Sequence, residues 1–345
     1  MNDNFDFTKN PQNEINMTDS ERKSHKKIFS RLGFAFLAYL LVSQGISVLA
    51  GILIGTFAPQ LFYSQNFLLV LSSAIQYLIA FPVLYLCLRS LPKSDPQNAR
   101  VGIKLTLKYL VVCMLFMYVG NYISNFLMVR IEALLGRMPE NSLNTILDNS
   151  SIWLSFLIVG IVGPIFEELI FRKLFIDRLM PYGDVVAIVL PALIFGLFHG
   201  NLYQFFYAFL IGIIFSYIYV KTGNISYTIL LHMFINLFCG VLPTFIFSKL
   251  DYNQLMEMVS TGALTEEYIM ANAFPIFLFL LYSYGMLTMV GIGIFVFLRN
   301  IKKININKGK VRFPKGVASD VIFFNVGIIS LIAISVILVA TNTFG

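Results

Sequence analysis

The chain has 345 residues, of which 57% are hydrophobic and only 12% charged, with a mean hydropathy of +0.77. That composition excludes a soluble globular domain and places the chain among polytopic membrane proteins. The net charge of +7 is then a property of loops on one side of a bilayer, not the footprint of a nucleic-acid binder.

In chain order, residues 1–31 are polar and basic and carry no apolar core of a signal peptide, so they read as a tail. Apolar stretches long enough to span follow at about 32–57, 67–88, 105–129, 152–180, 184–200, 202–220, 225–248, 273–298 and 320–340. The expected fold is therefore all-α, a bundle of eight to nine transmembrane helices around an intramembrane cavity. The pieces 131–150 and 250–272 read as short amphipathic segments resting on the outer interface. The linker "NIKKININKGKVRFPKG" separates the ninth span from the rest. Cys87, Cys113 and Cys239 all lie in apolar stretches without disulfide or metal spacing.

Strict alternation through nine spans puts all of the 25 Lys and Arg residues on one side except Arg130, Arg137 and Lys249. By the positive-inside rule the N-terminus is inside and the C-terminus outside, in a multi-pass protein of the cell membrane. The outer loop 249–272 carries Asp251, Glu257, Glu266 and Glu267, as that orientation expects.

The fourth span contains "GPIFEELIFRKLF", with Glu167, Glu168 and Arg172 inside an otherwise lipid-compatible run. Each buried charge costs several kcal/mol unless it is paired or functional. Glu168 and Arg172 are four apart and share a helix face, so they can pair. Glu167 points about 100° away from Glu168 and has no partner in sequence, which marks it as the reactive carboxylate. His199 ends "FGLFH", with Phe195 one turn before it to shield the imidazole. His232 and Asn236 in "HMFIN" repeat the same spacing. Counted from the inner turns at 181–183 and 223, the residues Glu167, His199, His232 and Asn236 reach similar depths of about 20 Å. Pro164 should kink or loosen the fourth helix, and Gly160 and Gly163 permit close helix approach.

A carboxylate and a histidine can polarise a water molecule for attack on an amide. A second histidine and an asparagine can donate hydrogen bonds to the resulting oxyanion. Two histidines and a glutamate can also hold zinc for metal-assisted hydrolysis, although the HExxH helix motif is absent. No GxSxG elbow is present. A transporter would show broken helices repeated in two halves, and no such symmetry is visible. A non-enzymatic membrane immunity or scaffold factor is the remaining class.

"EELIFR" (167–172), "FGLFH" (195–199) and "HMFIN" (232–236) resemble, in order and spacing, the EExxxR, FxxxH and HxxxN motifs of the CAAX protease and bacteriocin-processing family, the type II CAAX prenyl endopeptidases. The resemblance spans about residues 150–245. It implies an intramembrane glutamate-dependent endopeptidase in which Glu167 and His199 activate water, His232 and Asn236 form the oxyanion hole, and Glu168, Arg172 and Phe195 support the site. The implied organisation is a tail (1–31), N-terminal helices (32–149), a catalytic core (150–248) and a C-terminal part (249–345). The expected partners are a peptide or membrane-associated protein substrate and the lipid bilayer, with no nucleic acid and no cofactor, zinc being the runner-up. The resemblance also favours a hydrated cavity opening at the basic, inner end, reaching His232 first and the Glu167–His199 pair deeper.

Overall fold

The computed structural model describes residues 17–344 except 97, 138, 140, 142–144, 146, 148 and 315, so the first half of the N-terminal tail and parts of the 131–150 segment lie outside the described residues. Twelve helices are numbered here in chain order: α1 (Asp19–Phe57), α2 (Gln65–Leu88), α3 (Ile103–Leu135), α4 (Ile152–Tyr182), α5 (Asp184–Phe198), α6 (Leu202–Thr222), α7 (Ile225–Phe247), α8 (Tyr252–Thr261), α9 (Glu266–Ala271), α10 (Ala273–Lys303), α11 (Val317–Ile322) and α12 (Val326–Phe344). Among the described residues there is no strand, and eight helices are long and apolar enough to cross a membrane. The protein is an all-α, multi-pass membrane bundle. Its outer surface exposes large apolar side chains such as Leu78, Tyr284 and Leu298, as a lipid-facing surface does.

The stretch expected as a span at 184–200 is the 15-residue helix α5, shorter than the other eight. At 1.5 Å per residue it covers about 22 Å, less than the ~30 Å hydrocarbon layer. It still runs from one end of the bundle to the other. Asp184 at its start pairs with Lys221 and accepts from the Asn307 amide, while the Gly200 carbonyl just past its end accepts from Asn342 near the end of α12. Flanked along its length by α6 and by α4 and α12, α5 has little lipid to match. The last span also differs from expectation: a short α11 precedes it, and α12 begins at Val326.

Hydrogen bonds tie the loops into two ends. At one end, Ser94 donates to the Asp177 carbonyl, Ala99 to the Thr222 carbonyl and Val311 to the Pro181 carbonyl. Arg178 bonds the Leu88 carbonyl, and Arg22 and Lys26 both pair with Asp320. This end gathers the basic segments. At the other end, Tyr203 donates to the Pro139 carbonyl and Arg137 to the Phe344 carbonyl. The alternation read from Lys and Arg positions therefore matches the chain's own connectivity. The turns at the basic end are made by Gly183 (φ 97°) and Gly223 (φ 64°), a backbone region that favours glycine. Asn201 and Asn224 cap the helices that start at α6 and α7 by accepting the Gln204 and Ser226 amides.

α4 carries a π-stretch at 169–176, and three further π-turns, at 75–80, 158–162 and 237–241, each lie just before a proline. The cause is common to all three. Phe81, Gly163 and Leu242 donate five residues back, to Gln76, Ile158 and Leu237. The next residue is Pro82, Pro164 or Pro243, which has no N–H to continue the ladder. Each π-turn thus strips one carbonyl of its helical partner, a situation that often marks functional sites. The loosening expected at Pro164 takes this form.

Candidate active site

The π-turn at 158–162 in α4 positions the first piece of the site. Gly163 bonds the Ile158 carbonyl and Pro164 cannot donate, so the Val159 carbonyl loses its helical donor. The Asn236 side-chain amide supplies it, at 2.9 Å. Two helices are locked together there, and a Cβ on Gly160 would run into the tip of the Leu237 side chain, which would have to swing aside. Asn236 is left with one amide N–H and its carbonyl oxygen to offer.

Glu168 and Arg172 are completely buried and pair at 3.1 Å. The guanidinium lies over the rings of Phe195 (4.9 Å) and Phe215 (5.4 Å), an arrangement that offsets part of the cost of a buried cation. The second Glu168 oxygen meets His232 Nδ1 at 2.9 Å. A carboxylate paired with an arginine accepts, so Nδ1 carries the proton and donates. His232 Nε2 then faces Glu167, 3.6 Å from its Oε2. The imidazole is therefore a bridge between the two glutamates, a contact that sequence spacing did not disclose. Glu168 holds His232 as well as Arg172.

Glu167 is about a third exposed, whereas Glu168 is sealed. His199 Nδ1 lies 2.8 Å from the Phe195 carbonyl. A carbonyl only accepts, so Nδ1 is the donor and the Nε2 of a neutral ring carries a lone pair. The buried Phe195 ring packs edge-on against His199 at 4.8 Å and His232 at 5.9 Å, the shielding expected of it. Glu167, His199, His232 and Asn236 all line one cavity of about 530 Å³, with Phe195 in its wall. Glu168 and Arg172 lie behind that wall. Among the described residues, no group of three or more His, Cys, Asp or Glu side chains is arranged to hold a metal ion.

The cavity opens at the end opposite to the expected one. From α7 it is lined by His232, Ile235, Asn236, Cys239, Gly240, Pro243, Thr244 and Phe247, and by nothing before His232. From α6 it takes Tyr203 to Ile211 and nothing beyond; from α3, Met117, Asn121 and Asn125. Every lining segment runs from the level of Glu167 away from the basic end. Toward the basic end the bundle is filled by Phe175, Phe215, Ile218 and Tyr219, all fully buried. Aromatic packing closes the expected route. Cysteines can test this in a background lacking Cys87, Cys113 and Cys239. Thr244→Cys and Asn121→Cys should react with a membrane-impermeant thiol reagent from the face opposite Lys221→Cys, and Ile229→Cys from neither face. Labelling of Ile229→Cys from the Lys221 face, with Thr244→Cys silent, would restore the original route.

Asn121, Asn125, Gln204 and Tyr207 also line the cavity and were not singled out from sequence. Asn121 and Asn125 carried a usable signal, since two amides four residues apart on an apolar span share one face.

Residues 149–238 match the family model described as Type II CAAX prenyl endopeptidase Rce1-like. The resemblance carried by the three motifs holds. Among curated proteins, the chain is 27% identical over 173 residues to the "Putative membrane peptidase YdiL" of Bacillus subtilis (strain 168), covering 49% of this chain and 70% of that one. It is 26% identical over 149 residues to the UPF0177 protein YxdF of Lactococcus lactis subsp. lactis (strain IL1403), covering 42% of this chain and 82% of that one. No solved structure matches.

Proposed function

We propose that the chain is an intramembrane endopeptidase that hydrolyses a peptide bond with a water molecule activated by Glu167 and His199. The observation that carries this reading is the juxtaposition, on one cavity wall, of a partly exposed carboxylate, a histidine with a free Nε2, and two hydrogen-bond donors. The Rce1-like match and the name of the Bacillus relative support peptide hydrolysis as the reaction class.

In this reading, water sits between Glu167 and His199 Nε2, which take its proton as its oxygen attacks the carbonyl carbon. Asn236 donates its remaining amide N–H to the developing oxyanion. His232 donates from Nε2, which requires protons on both ring nitrogens, since Nδ1 is committed to Glu168. The tetrahedral intermediate collapses as the stored proton passes to the leaving amine. Glu168 and Arg172 fix the His232 ring. The basic end faces the cytoplasm under the positive-inside rule, so the cavity opens toward the outer face.

Wild-type and Glu167→Ala cells compared by mass spectrometry of membrane proteins and secreted peptides should differ by an accumulated precursor and a missing fragment. A scaffold or immunity factor would leave the two peptide sets alike. The mechanism assigns no role to a metal, so activity should survive prolonged chelation and purified protein should carry well under one zinc per chain. Stoichiometric zinc with chelator-sensitive activity would replace the water-activation scheme by the zinc one.

A further inference from the structure

Two amides in the cavity wall have no part in the water-activation scheme, and the peptidase reading, on which this inference rests, leaves them unexplained. Asn121 and Asn125 both line the cavity from α3, outside the matched residues 149–238. Polar groups in a membrane span need partners, because hydrocarbon offers none. Asn125 Nδ2 donates to Asn121 Oδ1 at 3.2 Å, and among the described residues neither side chain makes another hydrogen bond. Both Asn121 amide hydrogens and the Asn125 carbonyl oxygen are therefore left uncommitted. Other polar groups of the wall are engaged. Tyr203 donates to the Pro139 carbonyl, Gln204 accepts from the Asn201 amide, and Thr244 donates to the Gly240 carbonyl.

The crossing of α3 with α6 sets the level of the pair. A Cβ on Gly120 would run into the Tyr207 backbone, so only glycine lets the two helices meet there. The Tyr207 ring centre lies 6.3 Å from that of His199. Asn121 follows Gly120 directly and so sits at the depth of His199. Asn125 is one turn nearer the mouth.

That spacing suits a polypeptide. Four residues of helix rise about 6 Å. In an extended chain, residues i and i+2 turn their backbone groups to the same side, about 6.6 Å apart. Each side-chain amide carries both a donor and an acceptor, the complement of a backbone N–H and C=O. Such main-chain hydrogen bonds give affinity whatever the side chains of the bound segment are.

We propose that Asn121 and Asn125 form a peptide-backbone subsite, an amide ladder of two rungs that binds alternate residues of an extended substrate on the mouth side of the scissile bond. The basis is two uncommitted amides, one helical turn apart, that start at the level of His199 and lead toward the opening.

The test uses the purified full chain in proteoliposomes and the peptide it cuts fastest from a mixed-sequence library of internally quenched peptides, with Glu167→Gln as the blank. That peptide is remade with one backbone amide at a time, outside the scissile bond, replaced by an ester, which removes an N–H and leaves every side chain in place. In the wild type, esters at two positions two residues apart should raise KM about three- to tenfold, the worth of one hydrogen bond. Asn121→Leu and Asn125→Leu keep the side-chain size and suit an apolar span. Each should raise KM for the all-amide peptide by a similar factor while kcat holds within about twofold, the pattern of lost uniform binding. Each should also erase the ester penalty at one of the two positions and keep it at the other. Unchanged KM in both variants, or a raised KM with every ester penalty retained, would overturn the subsite and leave the peptidase reading standing. Absence of Glu167-dependent cutting across the whole library would instead remove the peptidase reading, and the subsite with it.

Discussion

Glu167→Gln should accumulate in the membrane at wild-type levels and lose about 10²–10⁴-fold in peptide hydrolysis, the range that a positioned general base contributes. The substitution is nearly isosteric, and Glu167 is partly exposed to the cavity, so its loss strands no buried partner. Glu168→Gln should behave in the opposite way. Its carboxylate faces Arg172 on one oxygen and His232 on the other, with no solvent at all. Neutralising it leaves a buried guanidinium without a counter-charge, so accumulation and thermal stability should fall while the correctly folded fraction keeps measurable activity. A glutamine oxygen can still accept from His232 Nδ1. Accumulation by immunoblot and single-turnover hydrolysis on the folded fraction measure the two effects apart. Equal activity loss at equal stability would refute the division of labour between the two glutamates.

How much of this was legible beforehand depended on whether a feature lies along one helix or between helices. The Glu168–Arg172 pair is local, and its spacing alone announced it. The levelling of Glu167, His199, His232 and Asn236 also followed from counting, because each position lies a similar number of residues from a turn made by glycine. The bridge from Glu168 through His232 to Glu167 joins α4 to α7, and no spacing within one helix encodes it. The direction of the cavity was misread for a related reason. Which end of a bundle is open depends on side-chain volume summed over several helices. Here Phe175, Phe215, Ile218 and Tyr219 meet at the basic end, whereas Asn121, Asn125 and Gly240 meet at the other. The length of α5 was also overstated, because an apolar run past a helix end looks like more helix until Gly200 and Asn201 are seen to start the next cap.

Arg172→Met should be among the most damaging single changes outside the cavity wall. It leaves the Glu168 carboxylate fully buried with only His232 to answer it, and breaking a buried pair from one side costs about 3–5 kcal/mol. The double variant Glu168→Leu/Arg172→Met removes both charges together and should recover much of that loss, since apolar replacements of buried ion pairs are often neutral or stabilising. Thermal unfolding in detergent should therefore rank the wild type and the double variant above the single one. The double variant should nevertheless be inactive. Its His232 ring has lost the Nδ1 acceptor that fixed its orientation and favoured its second proton, with Nε2 aimed at Glu167. A stable, inactive protein with Glu167, His199, His232 and Asn236 all intact would separate the positioning role of the pair from its contribution to folding. If the double variant were as unstable as Arg172→Met, the damage would come from lost packing against Phe195 and Phe215 and not from an unanswered charge. If it were stable and active, His232 would need no anchor, and its place in the oxyanion scheme would fall.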